Sequence, residues 1–71
     1  MSGLLKISEA TVLAIHALIV IAAKGGALAT NGGIATSLGA SGNHLSKVLQ
    51  RLVKAGIVRS VRGPGGGFVL D

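Results

Sequence analysis

The most regular pattern in the chain is an apolar stripe with helical spacing between residues 42 and 55. The apolar positions recur at i, i+3, i+4 and i+7, and they are Leu45, Val48, Leu49 and Leu52. This spacing predicts a helix over 42–55, with Ser41 as its N-cap and the apolar side against a core. The opposite side is polar and basic, and its residues are Asn43, Lys47, Gln50, Arg51 and Lys54, with His44 and Ser46 at the flanks.

A longer and more apolar segment near the start of the chain predicts a first helix over 8–24. Ser8 is a suitable N-cap, and Gly25 follows as a residue that can end the helix in the left-handed conformation. Only His16 interrupts the apolar residues between Val12 and Ala23, so we expect this helix to require cover on several sides.

A weaker segment over 31–38 predicts a second helix, with Thr30 or Asn31 as its N-cap. Glycines at positions 32 and 33 lower the helical propensity of its first turn. The tight connection Gly39-Ala40-Ser41 then leads into the next helix, and two helices joined in this way indicate a helix-turn-helix.

The last part of the chain predicts a two-stranded hairpin over 57–70. Residues 57–62 are rich in β-branched side chains, residues 68–70 are apolar, and the glycine-rich run 63–67 separates them. A bare hairpin is marginal in water, so we expect it to lie on the helices, with a third short strand near 27–29 as one way to extend the sheet. The predicted fold class is therefore mainly α with a small β-hairpin: three helices, the hairpin, and an N-terminal arm over 1–7 in one domain over 1–71.

Composition and charge narrow the class of partner. The chain has 71 residues, enough for one small domain, and no cysteine, which excludes disulfides and thiolate chemistry within it. Seven Lys and Arg against two Asp and Glu give a net charge of +5, and no acidic residue lies between Glu9 and Asp71. Such an excess of positive charge indicates a polyanionic partner, either nucleic acid or an acidic membrane surface.

The sequence offers little for catalysis or metal binding. The candidate ligands are His16, His44, Glu9 and Asp71, and their spacings are unrelated, so we predict no metal site, no catalytic residue and no enzyme activity. The glycine-rich run matches neither nucleotide-binding fingerprint. We expect His16 to be a packed or interfacial histidine without a chemical role.

The first helix also allows membrane interpretations, which the rest of the chain disfavours. Its apolar run is too short for a transmembrane span and is bounded by Glu9 and Lys24. A secretory signal peptide with cleavage after 27–29 would remove the most apolar helix and leave too little for a core. A membrane-active peptide would have no use for the glycine-rich hairpin.

A family resemblance is carried by the third helix and the hairpin. The residues concerned run from Asn43 to Leu52, from Lys54 to Val58 and from Ser60 to Phe68. The resemblance extends back through Ile34-Ala35, Leu38-Gly39, Ser41 and Ala17-Leu18-Ile19 to Lys6-Ile7-Ser8. On these motifs the chain resembles the Rrf-two (IscR-like) family of bacterial winged helix-turn-helix transcription regulators. The glycine-rich hairpin corresponds to the family's wing.

The resemblance implies a DNA-binding role for particular residues. The first turns of the third helix, the recognition helix, would enter the major groove of double-stranded DNA, and Arg62 with the wing loop would lie at the minor groove. The remaining polar side chains would hold the phosphate backbone. The full set of predicted contacts is Ser41, Asn43, His44, Ser46, Lys47, Gln50, Arg51, Lys54, Arg59, Arg62, Gly63 and Gly65.

Members of this family are usually longer, with a dimerisation helix and, in many, cysteines that bind an iron-sulfur cluster. We expect this chain to lack that sensor half, so cluster sensing is not carried over and we predict no cofactor. An apolar flank of the first helix would then stay uncovered and favour self-association. The sequence predicts a cytoplasmic, homodimeric repressor on a palindromic operator, with no membrane partner. The alternative is a protein-interaction or dimerisation module without productive DNA binding.

Overall fold

The three predicted helices and the hairpin are all present in the computed structural model, which describes residues 8–71. The elements are α1 (Glu9–Ala23), α2 (Asn31–Leu38), α3 (Gly42–Lys54), β1 (Val58–Val61) and β2 (Gly67–Leu70). This arrangement confirms the predicted fold class. The predicted arm over 1–7 lies outside the described residues.

Each helix begins at a hydroxyl side chain that accepts a hydrogen bond from the first turn. Ser8 accepts from the backbone N–H of Thr11 and Thr30 from that of Gly33, which decides between the two candidate caps of α2. Ser41 caps α3 in the same way, accepting from the N–H of His44 at 3.3 Å. These hydroxyls satisfy backbone N–H groups that have no acceptor within the helix, so each helix can begin directly after a short loop.

The core lies where the three helices meet the hairpin. The predicted apolar side of α3 is buried along its whole length, and α1 and α2 pack against it. The buried residues are Ala17, Ile21, Ala29, Ile34, Ala35, Leu45, Val48, Leu49, Leu52 and Val58. Because α3 supplies four of these ten, its position is fixed by the core and its polar side faces outward.

The hairpin is antiparallel, with Val58 opposite Leu70 and Val61 opposite Gly67. Its free edge is joined by Ala29, from the connection between α1 and α2. The N–H of Ala29 donates to the Phe68 carbonyl at 2.9 Å, and the N–H of Phe68 donates to the Ala29 carbonyl at 2.8 Å. The expected third strand is therefore a single bridging residue in place of a full strand.

Helix α1 is only partly covered by the rest of the described chain. Ala17 and Ile21 are fully buried, but Val12, Ile15 and Ile19 are 39%, 49% and 61% exposed. These three residues form one stripe at helical spacing, which we call the α1 stripe. Within residues 8–71 the helix is therefore packed on one side only, whereas the sequence led us to expect packing on several. The predicted uncovered apolar flank is present. His16 is exposed as well and does not pack into the core.

Candidate nucleic-acid interface

An open groove of about 630 Å³ runs between α3 and the hairpin. The polar side of α3 forms one wall, and the hairpin forms the other through β1, Arg62 and the Phe68 side chain of β2. The lining residues are Ser46, Lys47, Gln50, Arg51, Val53, Lys54, Ser60, Arg62 and Phe68. Six of these are predicted contact residues, so the structure brings half of the predicted set to one surface.

The groove is strongly cationic. Four of the seven Lys and Arg in the sequence line it, namely Lys47, Arg51, Lys54 and Arg62, and no acidic residue within 8–71 does. All four side chains are exposed, so none is neutralised by burial in the core. A concave surface lined by one sign of charge attracts polyanions, and the amide of Gln50 adds hydrogen-bonding capacity between the charges.

The two predicted arginines of the hairpin lie on different sides of it. Successive side chains of a strand point to opposite faces, and Ser60 and Arg62 both line the groove. Arg59 therefore points away from the groove. Its Nε lies 3.8 Å from an Oδ of Asp71, and both side chains are more than half exposed. The structure does not bring Arg59 to the surface formed by α3 and Arg62.

The predicted residues at the start of α3 lie outside this groove. Ser41 and His44 line a shallow cleft against α1, together with Glu9 and His16. Asn43 is exposed in the first turn of the helix. The Ser41 hydroxyl accepts a hydrogen bond as the N-cap of α3. The feature available to a ligand at this position is therefore the positive end of the α3 dipole.

Gly63 and Gly65 lie in the wing loop beyond the groove, and both are exposed. Gly63 closes a tight turn, since its carbonyl accepts the N–H of Gly66 at 2.9 Å. At Gly66 an added Cβ would overlap the Val61 carbonyl oxygen, so this position must be glycine for the loop to close. None of the described residues lies within 4 Å of a Cβ added at Gly65, which leaves its backbone accessible to a ligand.

Three groove residues were missed by the sequence interpretation: Val53, Ser60 and Phe68. A signal for Ser60 was present, since it lies two residues before Arg62 and period two puts both on one face of the strand. Phe68 had none, because its place in the groove depends on the cross-strand pairing with Ser60.

Comparison with known proteins identifies the family to which this architecture belongs. The sequence profile of the family Rrf2, described as an iron-dependent transcriptional regulator, matches residues 7–71. The chain belongs to the Rrf2 family. The predicted resemblance is therefore confirmed, and the hairpin with its glycine-rich loop is the wing of an Rrf2 winged helix.

Individual members of the Rrf2 family show the same relationship. The HTH-type transcriptional regulator BadM of Rhodopseudomonas palustris is 39% identical over 64 residues, which are 90% of this chain and 41% of BadM. Two solved structures also match, each at 34% identity and over 93% of this chain. They are CymR (YrzC), the global cysteine regulator of B. subtilis, with a TM-score of 0.88, and IscR of T. potens, with a TM-score of 0.80.

The Rrf2 chain spans about half the length or less of these relatives: 41% of BadM, 52% of CymR and 49% of IscR. BadM bears the name of an HTH-type transcriptional regulator and CymR that of a global cysteine regulator, and none of the three relatives is named as an enzyme.

The family description raises the question of an iron site. Residues 8–71 contain no cluster of three or more His, Cys, Asp or Glu side chains placed to hold a metal ion. The sequence has no cysteine to supply a thiolate ligand. These residues do not fit a resident iron ion. Within the same range, no helix has both the length and the apolar content that crossing a membrane requires.

Proposed function

We propose that this Rrf2 chain is the sequence-specific, double-stranded DNA-binding part of a bacterial transcription regulator. The observation that carries the proposal is the groove between α3 and the wing, to which the described residues contribute four cationic side chains and no acidic one. An α-helix fits the major groove of B-DNA, where each base pair presents a distinct pattern of donors and acceptors. A helix with an anchored apolar side and a polar outer side suits that position.

The contacts divide into those that read bases and those that hold the backbone. Asn43, His44, Ser46 and Lys47 lie on the first two turns of α3 and would meet base edges. Ser41 would present the positive end of α3 to a phosphate. The side chains of Gln50, Arg51 and Lys54 would hold the phosphate backbone.

The wing would meet the adjacent minor groove. Arg62 would lie in that groove, where a narrow width concentrates negative potential. Gly63 and Gly65 would let the loop backbone come close to the DNA. Arg59, which faces away and lies beside Asp71, would contribute least to the contact.

The proposal includes a homodimer on a palindromic operator, with half-sites about one helical turn apart. The α1 stripe supports self-association, because a protein rarely leaves such an apolar surface in water. Repression is the simplest output, since a domain that occupies a promoter blocks it without any further contact. A regulator of this kind would work in the cytoplasm, where the bacterial chromosome lies.

The test is selection of duplexes from a random pool, followed by fluorescence anisotropy with the selected and a scrambled duplex at two salt concentrations. We expect the selected duplex to bind at least 100-fold more tightly than the scrambled one. Arg62→Ala should weaken binding, and Arg59→Ala is the matched control. Failure to enrich any sequence, with equal weak binding to all duplexes, would contradict sequence-specific recognition.

A second function is favoured by the α1 stripe alone: a dimerisation or protein-interaction module that does not bind DNA productively. Analytical ultracentrifugation combined with a DNA shift assay separates the two. Assembly without any duplex affinity would support the interaction module, and duplex affinity that Arg62→Ala lowers would support the regulator.

A further inference from the structure

The wing is held from a side that the DNA-binding surface does not include. Strand β2 pairs with β1 on one edge and with Ala29 on the other, through two hydrogen bonds of 2.8 and 2.9 Å to Phe68. Ala29 is 2% exposed and belongs to the core. The wing is therefore tied to the connection between α1 and α2 by a buried residue.

Gly67 is the point where the two backbones come closest. A Cβ built on Gly67 would lie 2.7 Å from the Ala29 carbonyl oxygen and 3.0 Å from its carbonyl carbon. Such a contact is shorter than van der Waals packing allows, so any side chain at this position must push β2 away from Ala29. The bridge at Phe68 requires glycine at the preceding residue.

The ring of Phe68 secures the same junction from within. It packs against the core and lines both the groove beside α3 and a second cleft between the wing and the start of α2. If β2 moved away from Ala29, this ring would lose its packing contacts with the core, and the angle between the wing and α3 would change.

Arg62 depends on that angle. It follows the last residue of β1, Val61, whose cross-strand partner is Gly67 itself. A tilt of the hairpin that starts at Gly67 therefore displaces the Arg62 backbone, and with it the reach of the guanidinium towards DNA. The groove residues on α3 are held by the helical core and would not move with it.

We infer that Gly67 is a positioning residue for DNA recognition: by admitting the Ala29 bridge, it fixes the wing at the angle from which Arg62 reaches the minor groove. The inference rests on the proposed function. It assigns to the connection between α1 and α2 a part in DNA binding although none of its residues is among the proposed DNA contacts.

The test is a double-mutant cycle between Gly67→Ala and Arg62→Ala, measured as duplex affinity by fluorescence anisotropy. We expect each single variant to weaken binding about ten-fold, a loss typical of one good contact. If Gly67 acts through Arg62, then Gly67→Ala should change the affinity of the Arg62→Ala protein less than two-fold. Gly32→Ala is the matched control, because a Cβ there meets open space, and it should leave affinity within two-fold.

Amide hydrogen exchange reports on the bridge itself. In Gly67→Ala, the amides of Ala29 and Phe68 should lose protection, while the amide of Leu49 in α3 keeps it. If Gly67→Ala shows no cooperative melting, Phe68→Leu replaces it in the cycle, since it removes the ring while keeping both backbone hydrogen bonds, and the same coupling to Arg62 is required.

The outcomes separate the two proposals. If the unchanged chain binds no duplex, the proposed function fails and this inference fails with it. If the unchanged chain binds and the losses from Gly67→Ala and Arg62→Ala multiply, DNA binding stands and the positioning role is overturned. If Gly67→Ala only reduced the fraction of folded protein, it would lower the affinity by the same factor in the unchanged chain and in the Arg62→Ala variant. A smaller effect in the Arg62→Ala variant is therefore the result that only positioning produces.

Discussion

The two arginines of the wing provide the sharpest test of the proposed interface. Arg59 and Arg62 are the same residue type, both are exposed, and they lie three residues apart, but only Arg62 lines the groove. The sequence alone predicts a DNA contact for each, Arg59 with the phosphate backbone and Arg62 at the minor groove, so replacing one at a time tests what the structure adds.

The expected magnitude follows from counterion release. Each phosphate charge that a Lys or Arg neutralises contributes about −0.9 to the slope of log affinity against log salt concentration. If each of the four groove cations neutralises one phosphate charge, whether it lies on the backbone or within a DNA groove, the slope for one chain on a half-site duplex is about −3.6. Raising the salt from 50 to 200 mM then weakens binding about 150-fold. If Arg59 also contacted phosphate, the slope would be about −4.5.

The assay is a fluorescence anisotropy titration of a labelled half-site duplex at four or more salt concentrations. For Arg62→Ala we expect a slope of about −2.7, so the same rise in salt weakens binding only about 40-fold. For Arg59→Ala we expect the slope of the unchanged chain, because this side chain lies beside Asp71 on the other face of the hairpin. Equal changes in slope for both variants, or a larger one for Arg59→Ala, would refute the assignment.

Three further predictions concern α3, the core and the exposed surface of α1. Lys47→Ala should reduce the preference for the selected duplex, whereas Lys54→Ala should weaken all duplexes alike, as competition titrations with scrambled DNA would reveal. Leu49 is 1% exposed, so Leu49→Ala should lower the free energy of unfolding by about 2–5 kcal/mol, and an unchanged urea midpoint would contradict its core position. Ile19→Glu should reduce self-association in sedimentation velocity without lowering the melting temperature by more than a few degrees, since the side chain is 61% exposed.

The helices were largely predictable because their signals are local. The buried side of α3 follows from four apolar residues at helical spacing, and Ser8 and Ser41 cap their helices through hydrogen bonds that span three residues. The cap of α2 remained open between two adjacent candidates. Thr30 has the role because its hydroxyl accepts the N–H of Gly33, three residues on.

The candidate interface was predictable only in part, because it depends on contacts between distant segments. Helical periodicity placed Lys47, Arg51 and Lys54 on one side of α3, and they share the groove. Predicting that Arg59 lies outside the groove requires the alternation of side chains along β1 and knowledge of which face of the hairpin meets α3. The requirement for glycine at position 67 depends on Ala29, which lies almost forty positions earlier, and no local pattern links the two residues.

The wing loop also offers a practical opening for altering what such a protein reads. Gly66 and Gly67 are sterically obligatory and Gly63 has a φ of 115°, but Gly65 has neither a positive φ nor a neighbour within 4 Å of an added Cβ. A saturation library at position 65 would therefore introduce new side chains at the tip of the wing loop without disturbing the fold. Retargeted regulators could be sought there first.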